Sequence, residues 1–210
     1  MYSSVASPVD VTTLQCNLHT MQEILSNYCV LCVVDEATGV AQLDDVVYVV
    51  CDKSAIIRTF NADTLSPLNN DIHVEGMTRP RDMVVCRTQR QLLIAEYEPR
   101  CIWRVSVDQL QNEKWMETEY EIASLSVTSQ RLLVTCPSAP LRPTLRLVRT
   151  TDGAQIGDVR LPRYMRWLWH AVETTRGTCV VAHEGTSQDK RQDAVSRVVT
   201  CCVALFISRE

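Results

Sequence analysis

The chain has 210 residues, 46% of them apolar, with 21 Lys and Arg against 25 Asp and Glu for a formal charge of −4. That length carries one large all-β domain or two small ones with a proper core, and the apolar share is that of a folded protein. The acidic balance excludes a general nucleic-acid or anionic-membrane surface, because no basic excess exists to release counterions.

In chain order, the N-terminus "MYSSVASPVDVTT" has no positive stretch followed by an apolar one, as a secretory leader would. Residues 1–36 form an N-terminal extension. Within "TTLQCNLHTMQEILSN", Leu14, Leu18, Met21 and Leu25 fall on one helical face, and Thr12 or Thr13 can cap it. A short helix is predicted, then a strand over "YCVLCVV". That run and "CCVALFI" are far shorter than the roughly 20 residues needed to cross a bilayer, so no membrane partner is expected. Ten cysteines are present. Without a leader, the default is a cytoplasmic protein with free thiols.

From residue 37 to about 200 the chain repeats. The strand-like runs "VVYVVCD", "QLLIAEY", "RLLVTCP" and "TCVVAHE" set anchors at Val47, Leu92, Leu132 and Cys179, spaced by 45, 40 and 47 residues. Asp63, Asp108 and Asp152 close the β-rich runs "IIRTFNAD", "CIWRVSVD" and "LRLVRTTD", where an Asp can start a turn by accepting from the backbone ahead. Each period also holds a polar run ("NDIHVEG", "EKWMETE", "QIGDVRLP") and a small apolar one ("RPRDMVV", "IASLSVT", "WLWHAVE"). Four short strands per period, recurring in the same order, are predicted to be blades of an all-β, partial β-propeller, with four-stranded antiparallel sheets numbering three plus a part. A β-sandwich also has short strands and frequent turns, but it does not predict so long a period with constant internal order. Residues 201–210 are predicted to be an irregular tail. Any strand left open near "CCVALFI" is expected to invite self-association.

The phrases "LDDVVYVVCDKSAIIRTFNADTL", "GMTRPRDMVVC", "QLLIAEYEPRCIWRVSVD", "LSVTSQRLLVT" and "VRLPRYMRWLWHAVETTRGTCVVAHEGTSQ" together resemble NHL-type six-bladed propellers, most of all the uncharacterised propeller proteins of invertebrate animals. The likeness covers roughly residues 37–197. It implies a protein- or RNA-binding platform, the kind often joined to ubiquitin-ligase modules. Related six-bladed folds include metal-dependent lactonases and an amidating lyase. The chain departs from the pattern in its N-terminal helix, its blade number and its tail "VVTCCVALFISRE".

Aligning the first strand of each period brings Asp82, Ser124 and His170 into one series, spaced by 42 and 46 residues. An Asp and a His at a channel mouth can hold a divalent metal or act as acid and base; equally, Asp82 can cap a turn and His170 can bond a neighbouring strand. The second candidate is "YMRWLW", where Tyr164, Trp167 and Trp169 lie among arginines, a composition favoured at interaction hot spots. Its alternatives are packing between blades and, less favoured, stacking on single-stranded RNA. Cys29 and Cys32 form a C-x2-C pair with no second pair to complete a zinc site, and the strand cysteines read as small core hydrophobes. Ser106 and Ser126 lie in strands with no nucleophile elbow around them. No phosphate-binding glycine loop occurs, and "RPRD" and "DKRQD" read as solvated turns. The expectation is a non-enzymatic module, without cofactor, that binds a protein partner through its loops. The competing readings are a channel-mouth hydrolase or lyase and a degenerate fragment.

Overall fold

The computed structural model describes residues 37–128, 130–137, 143–159, 161, 167–174, 178–184 and 201–207. The expected N-terminal helix, the strand over "YCVLCVV", the Cys29–Cys32 pair and Tyr164 lie outside them. No helix occurs among the described residues. Blade 1 holds β1 (Ala37–Leu43), β2 (Val46–Cys51), β3 (Ile56–Asn61) and β4 (Ile72–His73). Blade 2 holds β5 (Pro80–Cys86), β6 (Gln91–Glu96), β7 (Cys101–Ser106) and β8 (Asn112–Glu117). Blade 3 holds β9 (Ser124–Thr128), β10 (Arg131–Cys136), β11 (Thr144–Arg149) and β12 (Gln155–Val159). These three sheets have four strands each in sequence order, and every pairing is antiparallel.

Blade 4 has three described strands, β13 (Trp167–Glu173), β14 (Thr178–Glu184) and β15 (Cys201–Ile207). The last corrects the expectation of an irregular tail: "CCVALFI" pairs along its whole length with β14, from Thr178 opposite Ile207 to Glu184 opposite Cys201. The backbone of β14 needs partners on both sides, and this β-prone run supplies the second. Among the described residues no strand pairs with the far edge of β15.

The first strands of successive blades pack on one another, β1 on β5, β5 on β9 and β9 on β13, so these strands lie innermost. Polar outer strands such as β8 and β12 keep mostly exposed or half-buried residues. The second strands lie between neighbouring sheets, and their continuous apolar runs follow from burial on both faces. In β6, Leu92 and Ile94 join Tyr48, Val50 and Ile57 of blade 1, while Leu93 and Ala95 join Leu125, Leu132 and Val134 of blade 3. The next seam is built the same way, with Leu133 and Leu145 against Leu168, Ala171 and Val181. Truncating such a buried leucine to alanine costs about 2–5 kcal/mol.

Close approach at the inner strands requires one glycine. A Cβ on Gly39 of β1 would stand 2.6 Å from the Met83 backbone nitrogen of β5. The turn aspartates act unequally. Asp152 accepts from the Ala154 backbone N–H at 3.0 Å, as expected. In blade 1 that task belongs to Asn61, whose side chain accepts from the N–H groups of Asp63 and Thr64. Asp108 instead takes the Arg90 guanidinium at 3.0 Å.

Candidate functional site

The strand register tests whether Asp82, Ser124 and His170 occupy one series. Asp82 faces Ala95, Ser124 faces Thr135 and His170 faces Ala182, and each of these partners lies four residues into the second strand of its blade. Gly39, facing Val50, is the blade 1 member. A bulge precedes Gly39, Asp82 and His170, leaving Thr38, Arg81 and Trp169 without an opposite residue. The expected equivalence therefore exists.

The series members do different things. Asp82 accepts from the Met83 backbone N–H at 2.8 Å and, through its other oxygen, from the Leu125 N–H of the next blade at 2.7 Å. The residue is only partly buried, but its carboxyl is enclosed between two inner strands. Burial pushes its pKa up to about 7 against the pull of the two N–H bonds. Ser124 and Thr135 are buried, and neither hydroxyl has a hydrogen-bond partner. His170 is exposed, yet its neighbours desolvate the ring enough to lower its pKa. Among the described residues no group of three or more His, Cys, Asp or Glu side chains forms a metal cluster.

Asp82 belongs to a set of bonds that tie each inner strand to the next. Thr38 donates its hydroxyl to the Pro80 carbonyl at 2.8 Å. Across the third seam, Thr128 donates to Glu173 at 2.9 Å, and Arg131 of β10 reaches the other oxygen of that carboxylate at 2.5 Å. Every described seam thus has a polar staple at its inner edge.

The aromatic run places Trp167 opposite Glu184 in β13, and Trp169 is 45% exposed at its bulge. Large apolar side chains this open are few among the described residues.

The structure also brings together residues that the sequence did not single out. Between the inner ends of blades 1 and 2 lies a depression of about 330 Å³ lined by Thr38, Asp52, Arg79, Pro80, Arg81 and Tyr97. The guanidinium carbons of Arg79 and Arg81 stand 4.9 and 5.4 Å from the centroid of the Tyr97 ring. Asp52 lies 3.7 Å from Arg79, and Glu121 lies 3.4 Å from Arg81. The "RPRD" stretch is thus one wall of an aromatic-floored hollow and not a fully solvated turn. Its signal in the sequence was the pair of arginines flanking a proline at a strand start; Tyr97, a whole hairpin away, carried none.

Glu96 holds this wall in place. Its side chain is fully buried at the end of β6. One oxygen accepts from the Thr78 and Arg79 backbone N–H groups and from the Thr78 hydroxyl. The other accepts from the Trp103 indole at 2.5 Å and the Cys101 thiol at 3.5 Å. Burial pushes the carboxyl pKa up, but the bonds from Trp103, Arg79 and Thr78 outweigh it and hold the group below its ordinary value. Burial and the neighbouring Glu96 charge push the Cys101 thiol up to about 12, so it stays a thiol. Tyr97 donates its backbone N–H to the Arg79 carbonyl at 3.0 Å, which fixes the ring beside the arginines.

Successive antiparallel sheets, packed and stapled to one another along their first strands, make this chain a partial β-propeller. Solved structures agree. The chain is similar to the hydrazine synthase of Kuenenia stuttgartiensis at 11% identity and a TM-score of 0.61, covering 73% of this chain and 44% of that one. It is similar to a structure of a nidogen/laminin complex at 12% identity and a TM-score of 0.61, covering 72% of this chain and 58% of that one. Both are larger chains, and the likeness is one of fold. No protein-family model matches the sequence, and no curated protein matches it either.

Proposed function

We propose that the chain is a non-catalytic recognition module of NHL-like propeller character that binds a protein partner through the loops at the mouth lined by Arg79, Arg81 and Tyr97. The observation that carries this reading is the contrast between a rigid frame and an open rim. The inner strands are stapled at each described seam, while the Arg79 and Arg81 side chains above them stay 43% and 39% exposed. Arginine and tyrosine on a pre-organised surface are the residue types that dominate protein interfaces, and a rigid scaffold carrying variable loops is a common way to present them. The nidogen/laminin structure supports the reading only as an instance of a similarly folded protein in a protein complex. The channel-mouth hydrolase is less well supported, because both Asp82 oxygens already accept backbone hydrogen bonds.

A photo-crosslinking amino acid placed at Lys53 or Glu98 on the mouth, and at Asp63 or Gln109 on the opposite rim, tests this. The expected result is a discrete protein adduct from the mouth positions and none from the opposite rim. Adducts from the opposite rim alone, or from neither, overturn the proposal.

A further inference from the structure

The depression between blades 1 and 2 has chemistry that narrows what it takes. Two guanidiniums sharing one aromatic ring would repel each other were nothing of opposite charge nearby. Asp52 and Glu121 supply that charge, but loosely, at 3.7 and 3.4 Å. Among the described residues neither guanidinium donates a hydrogen bond, and the Arg79 Nε is buried with no hydrogen-bond partner, Asp52 standing 3.7 Å from it. Each guanidinium carries five N–H donors in a planar fork. A buried donor left without an acceptor is unfavourable, so the Arg79 Nε lacks a close acceptor, while the rest of both forks faces the open side of the depression. The acceptor that matches this geometry is a planar oxyanion able to take two parallel N–H bonds.

Charge and size separate the anions. Lys53, Arg79 and Arg81 are matched in number by Asp52, Glu98 and Glu121 at this mouth, a neutral set on a chain whose overall charge is −4. Arg79 and Arg81, whose own carboxylates stand off at 3.7 and 3.4 Å, suit one inserted carboxylate and not a run of negative charge. A nucleic acid presents a phosphate at every step and would meet repulsion from the rest of the surface. A volume of about 330 Å³ is at the lower end of ligand sites, enough for a side chain and small for a cofactor. Tyr97 supplies an apolar floor for the methylene stem of an inserted glutamate.

We infer that this depression binds a carboxylate side chain of an acidic peptide segment in a protein partner, clamped by Arg79 and Arg81 above Tyr97. The inference rests on the reading of the mouth as a protein-recognition surface and names the chemistry recognised there. Thr38, Pro80 and the Glu96-anchored turn shape the walls.

The test uses the full chain and a short fluorescein-labelled peptide alternating glutamate with serine, followed by anisotropy. The glutamate peptide is expected to bind, and its glutamine counterpart to bind at least about tenfold more weakly. Arg79→Gln and Arg81→Gln are each expected to weaken the glutamate peptide by a similar factor, with the urea midpoint of Arg81→Gln unchanged as a check on folding. No binding of the glutamate peptide overturns the inference. So does equal binding of the two peptides, affinity indifferent to Arg81→Gln, displacement by millimolar inorganic phosphate, or a stronger response to a short single-stranded RNA. If partner adducts still form at the mouth in the Arg79→Gln and Arg81→Gln proteins, the carboxylate clamp fails while the recognition module stands. Adducts confined to the opposite rim remove the module itself.

Discussion

Glu96 and Asp82 lie on paired strands of blade 2, and both carboxyls are enclosed and accept backbone N–H bonds, yet their protonation is biased in opposite directions. Asp82 has two donors, one from its neighbour Met83 and one from Leu125 across the seam, and burial prevails, raising its pKa to about 7. Glu96 has five donors from Thr78, Arg79, Cys101 and Trp103, and they prevail over burial, lowering its pKa. Enclosure alone therefore does not decide whether a carboxylate stays charged; the number of hydrogen bonds to the charged form does. The two sites also have different work. Asp82 joins two blades and sits near neutrality, whereas Glu96 shapes the turn that carries the mouth arginine and stays ionised.

The largest effect expected from this contrast is at Glu96. Replacing it with alanine leaves two backbone N–H groups and the Trp103 indole without their acceptor. Because these bonds go to a charged group, the loss is about 3–5 kcal/mol in urea denaturation. Glu96→Gln keeps one acceptor oxygen and is expected to lose less. If Glu96→Ala costs no more than a surface substitution, the Glu96 network does not organise the blade.

Much of this frame was legible in the sequence, and the reason is geometric. Middle strands such as β6 and β10 are covered on both faces, so "LLIA" and "LLVT" appear as unbroken apolar runs at a fixed period. The same period put Asp82, Ser124 and His170 in one series, and register places them there. The roles of those residues were not legible, because they depend on distant partners: Asp82 meets Leu125, 43 residues on. The role of Glu96 was not legible either, since three of its donors come from Thr78 and Arg79, 18 and 17 residues before it, and two from Cys101 and Trp103 of the next strand. The mouth was missed for the same reason, the hairpin being what carries Tyr97 back to Arg79. The strand β15 was misjudged because its partner β14 is separated from it by a polar stretch that gives no pairing signal.

The next effect in size separates the two carboxyls by pH. Asp82 has a folded pKa raised above its unfolded value, so its contribution to stability is fully present below about 4 and is lost as pH rises through about 7. Asp82→Asn does not titrate, so the stability difference between the natural protein and this variant is expected to shrink as pH goes from 4 to 7. The change is on the order of 2–4 kcal/mol. Glu96 has the opposite sign: its contribution is present above the ordinary glutamate value and is lost as pH falls through its lowered folded pKa. Denaturant titrations of Asp82→Asn and Glu96→Gln across pH 3–8 should therefore diverge from the natural protein in different windows. A difference between the natural protein and Asp82→Asn that is flat from pH 4 to 7 would show that Asp82 is not held near neutrality.

The smallest effect isolates one donor. Trp103 is buried against Gly76, where the ring lies 3.4 Å from the position a Cβ would take, and its indole N–H donates to Glu96 at 2.5 Å. Trp103→Phe keeps an aromatic ring in the seam and deletes that one bond. The expected cost is about 1–2 kcal/mol, with part of it from the lost ring volume. Donor number predicts a second consequence that packing alone does not: the Glu96 pKa must rise toward its ordinary value. The acid limb of the stability profile should then move to higher pH in Trp103→Phe, with the Asp82 limb near neutrality unmoved. A variant that loses stability equally at every pH would assign Trp103 to packing and leave the low Glu96 pKa to the turn's own N–H groups.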